Sequence, residues 1–170
     1  FADFSKQNPA FISKWEKRNQ ILDQNPMYDL NDALTSSHQV IWVKEGTKLA
    51  KPIVHQLLAD VSIASAIQSK LLIYLEKDAQ LTWVDDLCTH DSSEAILSNY
   101  VQEIWVEEAA QLTFIKTQDF ALKTTHIDHT YIYQQAKSQV DMFTFSINGG
   151  FVRNNLHFYV DGENVQSNLN

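Results

Sequence analysis

Apolar and polar positions follow two different periods along this chain, and the change falls close to residue 38. In the first segment Phe11, Ile12, Trp15, Ile21 and Leu22 form an apolar stripe at roughly helical spacing. Asn8 is placed to cap that helix and Pro9 to open it, because the first helical residue has no intrahelical use for its N–H. Asn25-Pro26 is read as the end of the helix, since the residue before a proline disfavours the α region. A second short helical turn over residues 29–34 is predicted to face Leu30, Ala33 and Leu34 inward, and Thr35-Ser36-Ser37 reads as a connector.

From Val40 onward the apolar residues are β-branched and aromatic, and the period shortens to that of strands. Strands are predicted over 40–43, 71–75, 80–84, 104–106, 111–115, 131–133, 140–145 and 156–160. These segments repeat. Ile41-Trp42-Val43-Lys44-Glu45-Gly46-Thr47-Lys48-Leu49 aligns with Ile73-Tyr74-Leu75-Glu76-Lys77-Asp78-Ala79-Gln80-Leu81 and with Ile104-Trp105-Val106-Glu107-Glu108-Ala109-Ala110-Gln111-Leu112. Weaker copies start at Ile132-Tyr133 and Phe158-Tyr159, giving spacings of 32, 31, 28 and 26 residues. A unit of strand, polar corner and strand at such a period is a repeat architecture. The Leu and Asn ladder of leucine-rich repeats is absent, and propeller blades are longer. The reading is a mainly β chain: a right-handed parallel β-helix, or single-stranded solenoid, over 38–170, preceded by a short helical segment over 1–37. Ile73, Leu75, Leu81 and Trp83 are expected in its continuous core. A β-sandwich with accidental repeats is the alternative, although four glycines and three prolines are few for one.

Composition narrows the function. With 13 basic and 21 acidic residues the net charge is −8, and the two arginines, Arg18 and Arg153, lie far apart. Nucleic-acid binding needs clustered cations, so none is expected. No apolar run is long enough to span a bilayer, no signal peptide is visible, and the single Cys88 suits a reducing cytoplasm. The chain opens on Phe1 rather than Met and is expected to be a fragment of a longer one.

Several residues invite chemistry. Cys88-Thr89-His90, after Asp85-Asp86, offers soft and hard metal ligands, but two ligands cannot close a site and a solvated loop thiol is the plainer reading. In His126-Ile127-Asp128-His129 alternation puts His126 and Asp128 on one strand face and His129 on the other, which fits exposed polar positions better than a shared metal. His38, His55 and His157 are isolated. No G-x-S-x-G elbow and no phosphate-binding loop occurs, and Gly149-Gly150 reads as a turn between coils. Glu76, Glu107 and Glu108 recur at coil corners, where solvated charge is natural. The enzymatic alternative is a β-helical carbohydrate-active lyase or hydrolase, which needs clustered carboxylates. The aromatic set Trp42, Tyr74, Trp83, Trp105, Phe114, Tyr133, Phe143, Phe145 and Phe158 is expected as core or surface ladders rather than a ligand platform. No catalytic, cofactor-binding or metal-binding residue is assigned.

Three signatures carry a resemblance: Leu30-Asn31-Asp32-Ala33 leading to Val40-Ile41-Trp42-Val43-Lys44-Glu45-Gly46-Thr47 and Lys51-Pro52-Ile53; the coil starting at Glu103; and Val152-Arg153-Asn154-Asn155-Leu156 before Asp161-Gly162-Glu163-Asn164. Together they resemble the SufB/SufD family of iron–sulfur cluster assembly proteins, the third being more SufD-like. The resemblance implies a right-handed β-helix core and a cytoplasmic scaffold that works with a SufB-like subunit and a SufC-like ATPase. It further implies that the SufC-binding region and the late β-helix interface lie beyond Asn170, and that the cluster is assembled by the full complex with no cofactor bound by this segment. A coil stack cut at Asn170 is expected to present strand edges that invite self-association.

Overall fold

The computed structural model describes residues 1–19, 25–35, 38–59, 63–89 and 94–170. Three helices lead: α1 (Ala2–Gln7), α2 (Pro9–Asn19) and α3 (Pro26–Leu34). Ten strands follow: β1 (His38–Val43), β2 (Ile53–Ala59), β3 (Ser65–Leu75), β4 (Gln80–Thr89), β5 (Ile96–Val106), β6 (Gln111–Asp119), β7 (Thr124–Gln134), β8 (Gln139–Asn148), β9 (Phe151–Val160) and β10 (Gln166–Leu169). Odd strands form one five-stranded sheet in the order β1-β3-β5-β7-β9, and even strands form another in the order β10-β8-β6-β4-β2. Every named pairing is parallel. The chain therefore alternates between two parallel sheets, as the repeat predicts for a parallel β-solenoid.

The sequence repeat is also the pairing register. Ile41 pairs with Ile73, Ile73 with Ile104, Ile104 with Ile132, and Ile132 with Phe158. Between the sheets these residues join Leu71, Leu75, Leu81, Trp83, Leu112, Phe114 and Val140 in one core. The coils shorten from 32 to 26 residues because connections change length while this row stays aligned.

The polar corner recurs with a common backbone device. Gly46, Asp78, Ala109, Lys137 and Asn164 all adopt left-handed backbone, with φ between 57° and 67°. Each of the first four donates its N–H to the corner of the next coil: Gly46 to Lys77 O, Asp78 to Glu108 O, Ala109 to Ala136 O and Lys137 to Glu163 O. Only Gly46 adopts this conformation without a Cβ penalty. Gly150 is required for a different reason in the turn between β8 and β9: a Cβ there would lie 2.0 Å from the Leu122 carbonyl oxygen.

The helical lead-in differs from the sequence reading at its second boundary. Asn25-Pro26 opens α3: the Asn25 side chain accepts from the Met27 and Tyr28 N–H groups, and Pro26 is the first helical residue, while the stretch between α2 and Asn25 lies outside the described residues. The pre-proline rule marks a boundary without saying on which side the helix lies. The helix is longer than residues 29–34, and its inward residues are Tyr28 and Asn31, while Leu30 and Leu34 are exposed. Asn31 is drawn in by carbonyls, donating to Ser69 O and Asn99 O on β3 and β5. Of the expected stripe, Phe11 is buried and Ile12 and Trp15 pack beside it; Ile21 and Leu22 lie outside the described residues, as do Ser36 and Ser37. No helix among the described residues is long and apolar enough to cross a membrane.

Candidate functional site

The interior of the solenoid is apolar toward the corners and polar toward the opposite ends of the strands. Strand alternation turns Asp85 of β4, Lys116 and Gln118 of β6, Ser98, Tyr100 and Gln102 of β5, and His126, Asp128 and Thr130 of β7 inward, and all nine are buried. Lys116 Nζ donates to Asp128 Oδ2 at 2.7 Å and to Thr130 Oγ1 at 3.1 Å. The Thr130 hydroxyl stands 2.7 Å from Asp128 Oδ1 and 3.0 Å from Gln102 Oε1. Gln102 Nε2 donates to Asp85 Oδ2 at 2.5 Å, and Asp85 Oδ1 is 2.6 Å from His55 Nδ1 on β2. His126 Nδ1 lies 3.0 Å from Ser98 Oγ, and its Nε2 is 3.9 Å from Asp128. A continuous hydrogen-bonded seam thus runs from His55 through Asp85, Gln102 and Thr130 to Lys116 and Asp128.

Electrostatics at the seam centre on Asp128. Burial alone would raise its carboxyl, but the Lys116 ammonium and His126 beside it hold it well below the ordinary carboxylate range. A buried carboxylate of this kind is committed to its cation; it is neither a free general acid nor an open ligand.

The structure corrects two readings. His126 and Asp128 are not exposed coil positions but core groups, because their face of β7 looks between the sheets. Cys88 is not in a loop but on β4, paired with Leu58 and Asp119. Burial first, then Asp86 and Asp119 nearby, push its thiol up, so the thiolate needed for nucleophilic or ligand chemistry is disfavoured. His90 and residues 91–93 lie outside the described residues. Asp85 and Asp86 point to opposite faces, as alternation requires: Asp85 joins the seam, and Asp86 accepts from Gln56 and Thr117 on the outer surface. Among the described residues no three His, Cys, Asp or Glu side chains converge as a metal site. The corner glutamates are paired, Glu107 with Lys14 and Glu108 with Lys77 and Lys137, while Glu76 accepts from Trp42 and from the Glu45 N–H.

The aromatic set divides between core and surface. Trp83, Phe114 and Phe158 point inward. Trp42, Tyr74, Trp105, Tyr133 and Tyr159 occupy one register position on β1, β3, β5, β7 and β9 and form a ladder on the outer face of that sheet. Trp105 stacks on Tyr133 at 4.2 Å and Tyr133 on Tyr159 at 4.9 Å. Helix α2 lies along the ladder: Phe11 stacks on Tyr74 at 4.1 Å, Lys14 sits over Trp105, and Arg18 over Tyr133 and Tyr159. The match is geometric, since a helical turn rises about 5.4 Å and strands are spaced about 4.8 Å apart. Beside the ladder, buried Glu103 accepts from Tyr28 and from Trp15 Nε1, and Lys70 lies 3.4 Å from Glu103 and 2.8 Å from Asp32, tying α2 and α3 to the sheet.

Lys116, Gln102 and Thr130 were missed by motif reading because each is unremarkable alone. The available signal was parity: Leu112, Phe114, Lys116 and Gln118 alternate on one face, so a lysine falls in an otherwise core row.

Comparison with known proteins places these features in context. A family model described as "SUF system FeS cluster assembly, SufBD core domain" matches residues 58–170. The chain is 30% identical over 147 residues to an "Iron-sulfur cluster assembly SufBD family protein" of Synechocystis sp., covering 81% of this chain and 32% of that one. It is 23% identical over 136 residues to "Protein ABCI7, chloroplastic" of Arabidopsis thaliana, covering 76% of this chain and 29% of that one. The chain spans about a third of the length of the curated relatives it matches. No solved structure matches it.

Proposed function

Because the chain belongs to the SufBD core family of the SUF iron–sulfur cluster assembly system, we propose that it is a scaffold segment of a SufD-type subunit acting with a SufB-type subunit and the SufC ATPase. The observation that carries this reading is the family match over residues 58–170, which spans most of the coil stack. The SufD-type assignment is supported by the Val152-Arg153-Asn154-Asn155-Leu156 stretch, which supplies half of β9. The role is positional and non-enzymatic: parallel coils in fixed register hold surfaces at set distances, and the iron–sulfur cluster is cargo of the whole assembly rather than a resident group of this segment. The cytoplasm is the compartment this reading implies. A carbohydrate-active β-helix would need a substrate groove lined by carboxylates from successive coils. Such a groove does run along the coil corners, lined by Glu45, Glu76, Glu107 and Glu108. But Glu107 and Glu108 are paired with lysines, Glu76 accepts from Trp42 and the Glu45 N–H, and Asp85 and Asp128 are buried inside the solenoid, so the family match outweighs that reading.

The test is co-expression of the protein at its full natural length with SufB- and SufC-type subunits, followed by size-exclusion chromatography. Co-elution as one stable complex is expected. Separate elution of three folded proteins would refute the SufD-type assignment.

A further inference from the structure

The two sheets are treated unequally on their outer faces. On the odd-strand sheet an aromatic ladder is covered by α2, whose Lys14 and Arg18 pair with Glu107 and Asp161. On the even-strand sheet a second outward row runs through Val54, Val84, Ile115 and Phe143, direct neighbours in the register of β2, β4, β6 and β8. Val54 is 65% exposed, Phe145 one row away is 54% exposed, and no helix among the described residues lies on the row.

Charge distinguishes this face further. Asp86, Asp119 and Asp141 point outward around the row. Among the described residues the hydrogen bonds they are seen to accept come from neutral groups: Gln56 and Thr117 to Asp86, Asn148 to Asp119, and Gln139 and Asn168 to Asp141. Among the described residues no salt bridge involves any of the three. The five even strands contribute no outward lysine or arginine; their one cation, Lys116, is buried inside. The face therefore has the two components of the odd-strand face, an apolar row and flanking carboxylates, without the cationic helix that completes it.

We propose that the outer face of the even-strand sheet docks an amphipathic helix of a partner protein, laid across the strands along Val54, Val84, Ile115 and Phe143, with lysines or arginines beside its apolar stripe meeting Asp86, Asp119 and Asp141. The geometry is that of α2 on the opposite sheet. Helical residues three or four apart advance about 5 Å, so one apolar side chain meets each strand in turn. Carboxylates left without cations on the free face favour a basic partner and repel an acidic one. This inference rests on the surface itself and stands independently of the SufD-type assignment.

The test is an NMR titration of the full chain with an 18-residue helix-forming peptide carrying leucines along one face and lysines on both flanks. The same peptide with glutamates in place of the lysines is the control. Saturable amide shifts are expected on β2, β4, β6 and β8, with the glutamate peptide binding at least tenfold more weakly. Ile115→Lys should reduce affinity at least tenfold. Asp86→Asn with Asp141→Asn, which keeps the side-chain shape, should reduce affinity several-fold at low salt and flatten its salt dependence, so the test survives if Ile115→Lys misfolds. Shifts confined to another surface, equal binding of both peptides, or unchanged affinity in the folded variants would overturn the proposal. So would dimerisation of the chain itself that Ile115→Lys abolishes, which would assign the face to a second copy.

Discussion

Replacing Asp128 with alanine removes the acceptor that neutralises the most buried lysine in the solenoid. Lys116 and Asp128 are each 1% exposed and 2.7 Å apart, so water cannot take the place of the missing carboxylate. Breaking a buried pair by deleting one partner costs about 3–5 kcal/mol, chiefly because the other charge stays buried and uncompensated. The Thr130 hydroxyl also loses a partner 2.7 Å away, although Lys116 and Gln102 remain in reach of it. Asp128→Ala should therefore destabilise the fold by about 4 kcal/mol, a large share of the roughly 5–15 kcal/mol typical of a domain. Adding Lys116→Met removes the stranded charge and fills its space with an apolar chain, so the double variant should regain at least about 1.5 kcal/mol relative to Asp128→Ala alone. Urea unfolding followed by fluorescence of buried Trp83 and Trp105 measures both. A loss under about 1 kcal/mol in Asp128→Ala, or a double variant no more stable than the single one, would refute the argument that the pair is a desolvated unit.

The same pair fixes a pH response. The folded Asp128 carboxyl is held below its ordinary value of 3.8, so its contribution is present above about pH 4 and is lost as pH falls further. Wild-type stability should drop more steeply between pH 4 and pH 2 than that of the Lys116→Met, Asp128→Asn variant; parallel curves in urea would remove Asp128 from the explanation. At the corners, Ala109 holds a left-handed φ of 58° that glycine adopts freely, and Ala109→Gly should stabilise the chain by about 0.5–1 kcal/mol in calorimetry, whereas a loss would show that the corner is not strained. Cys88, with its thiol pushed up, should react with a disulfide reagent at pH 8 at least several-fold more slowly than free cysteine; equal or faster reaction would show the site to be open and activated.

How far the fold was legible follows from where its information is stored. The solenoid was readable because each coil places its aliphatic–aromatic pair at one register position, so Ile73, Ile104 and Ile132 align in sequence as they pair in space. The corner device was half readable: Gly46 announces a left-handed residue, but Asp78, Ala109 and Lys137 adopt it because inter-coil backbone bonds hold them there. Helix α3 was placed but read three residues short and with the wrong face inward, because its buried side chains are Tyr28 and Asn31, which are held by polar groups of the sheet rather than by an apolar stripe. The seam was the least legible part. Alternation put His126 and Asp128 on a common face, yet whether that face looked to water or to the core depended on Lys116, which belongs to the other sheet and approaches Asp128 only across the interior.

That division of labour bears on what a scaffold of this kind needs. The apolar row Ile41, Ile73, Ile104 and Ile132 is nearly uniform, and a parallel strand displaced by two residues would keep the same faces inward. Such a slip of β7 against β5 would carry Asp128 about 6.6 Å along the strand, out of reach of Lys116. It would also move Thr130 from its place beside Gln102 and His126 from its place beside Ser98, leaving several buried polar groups unpaired at about 1–3 kcal/mol each. The apolar half of the interior supplies cohesion that tolerates misregistration, and the polar half supplies the penalty that forbids it. A stack whose outer faces must present α2 at one ladder and the row of Val54, Val84, Ile115 and Phe143 on the other depends on that penalty, because both surfaces exist only while the strands stay in register.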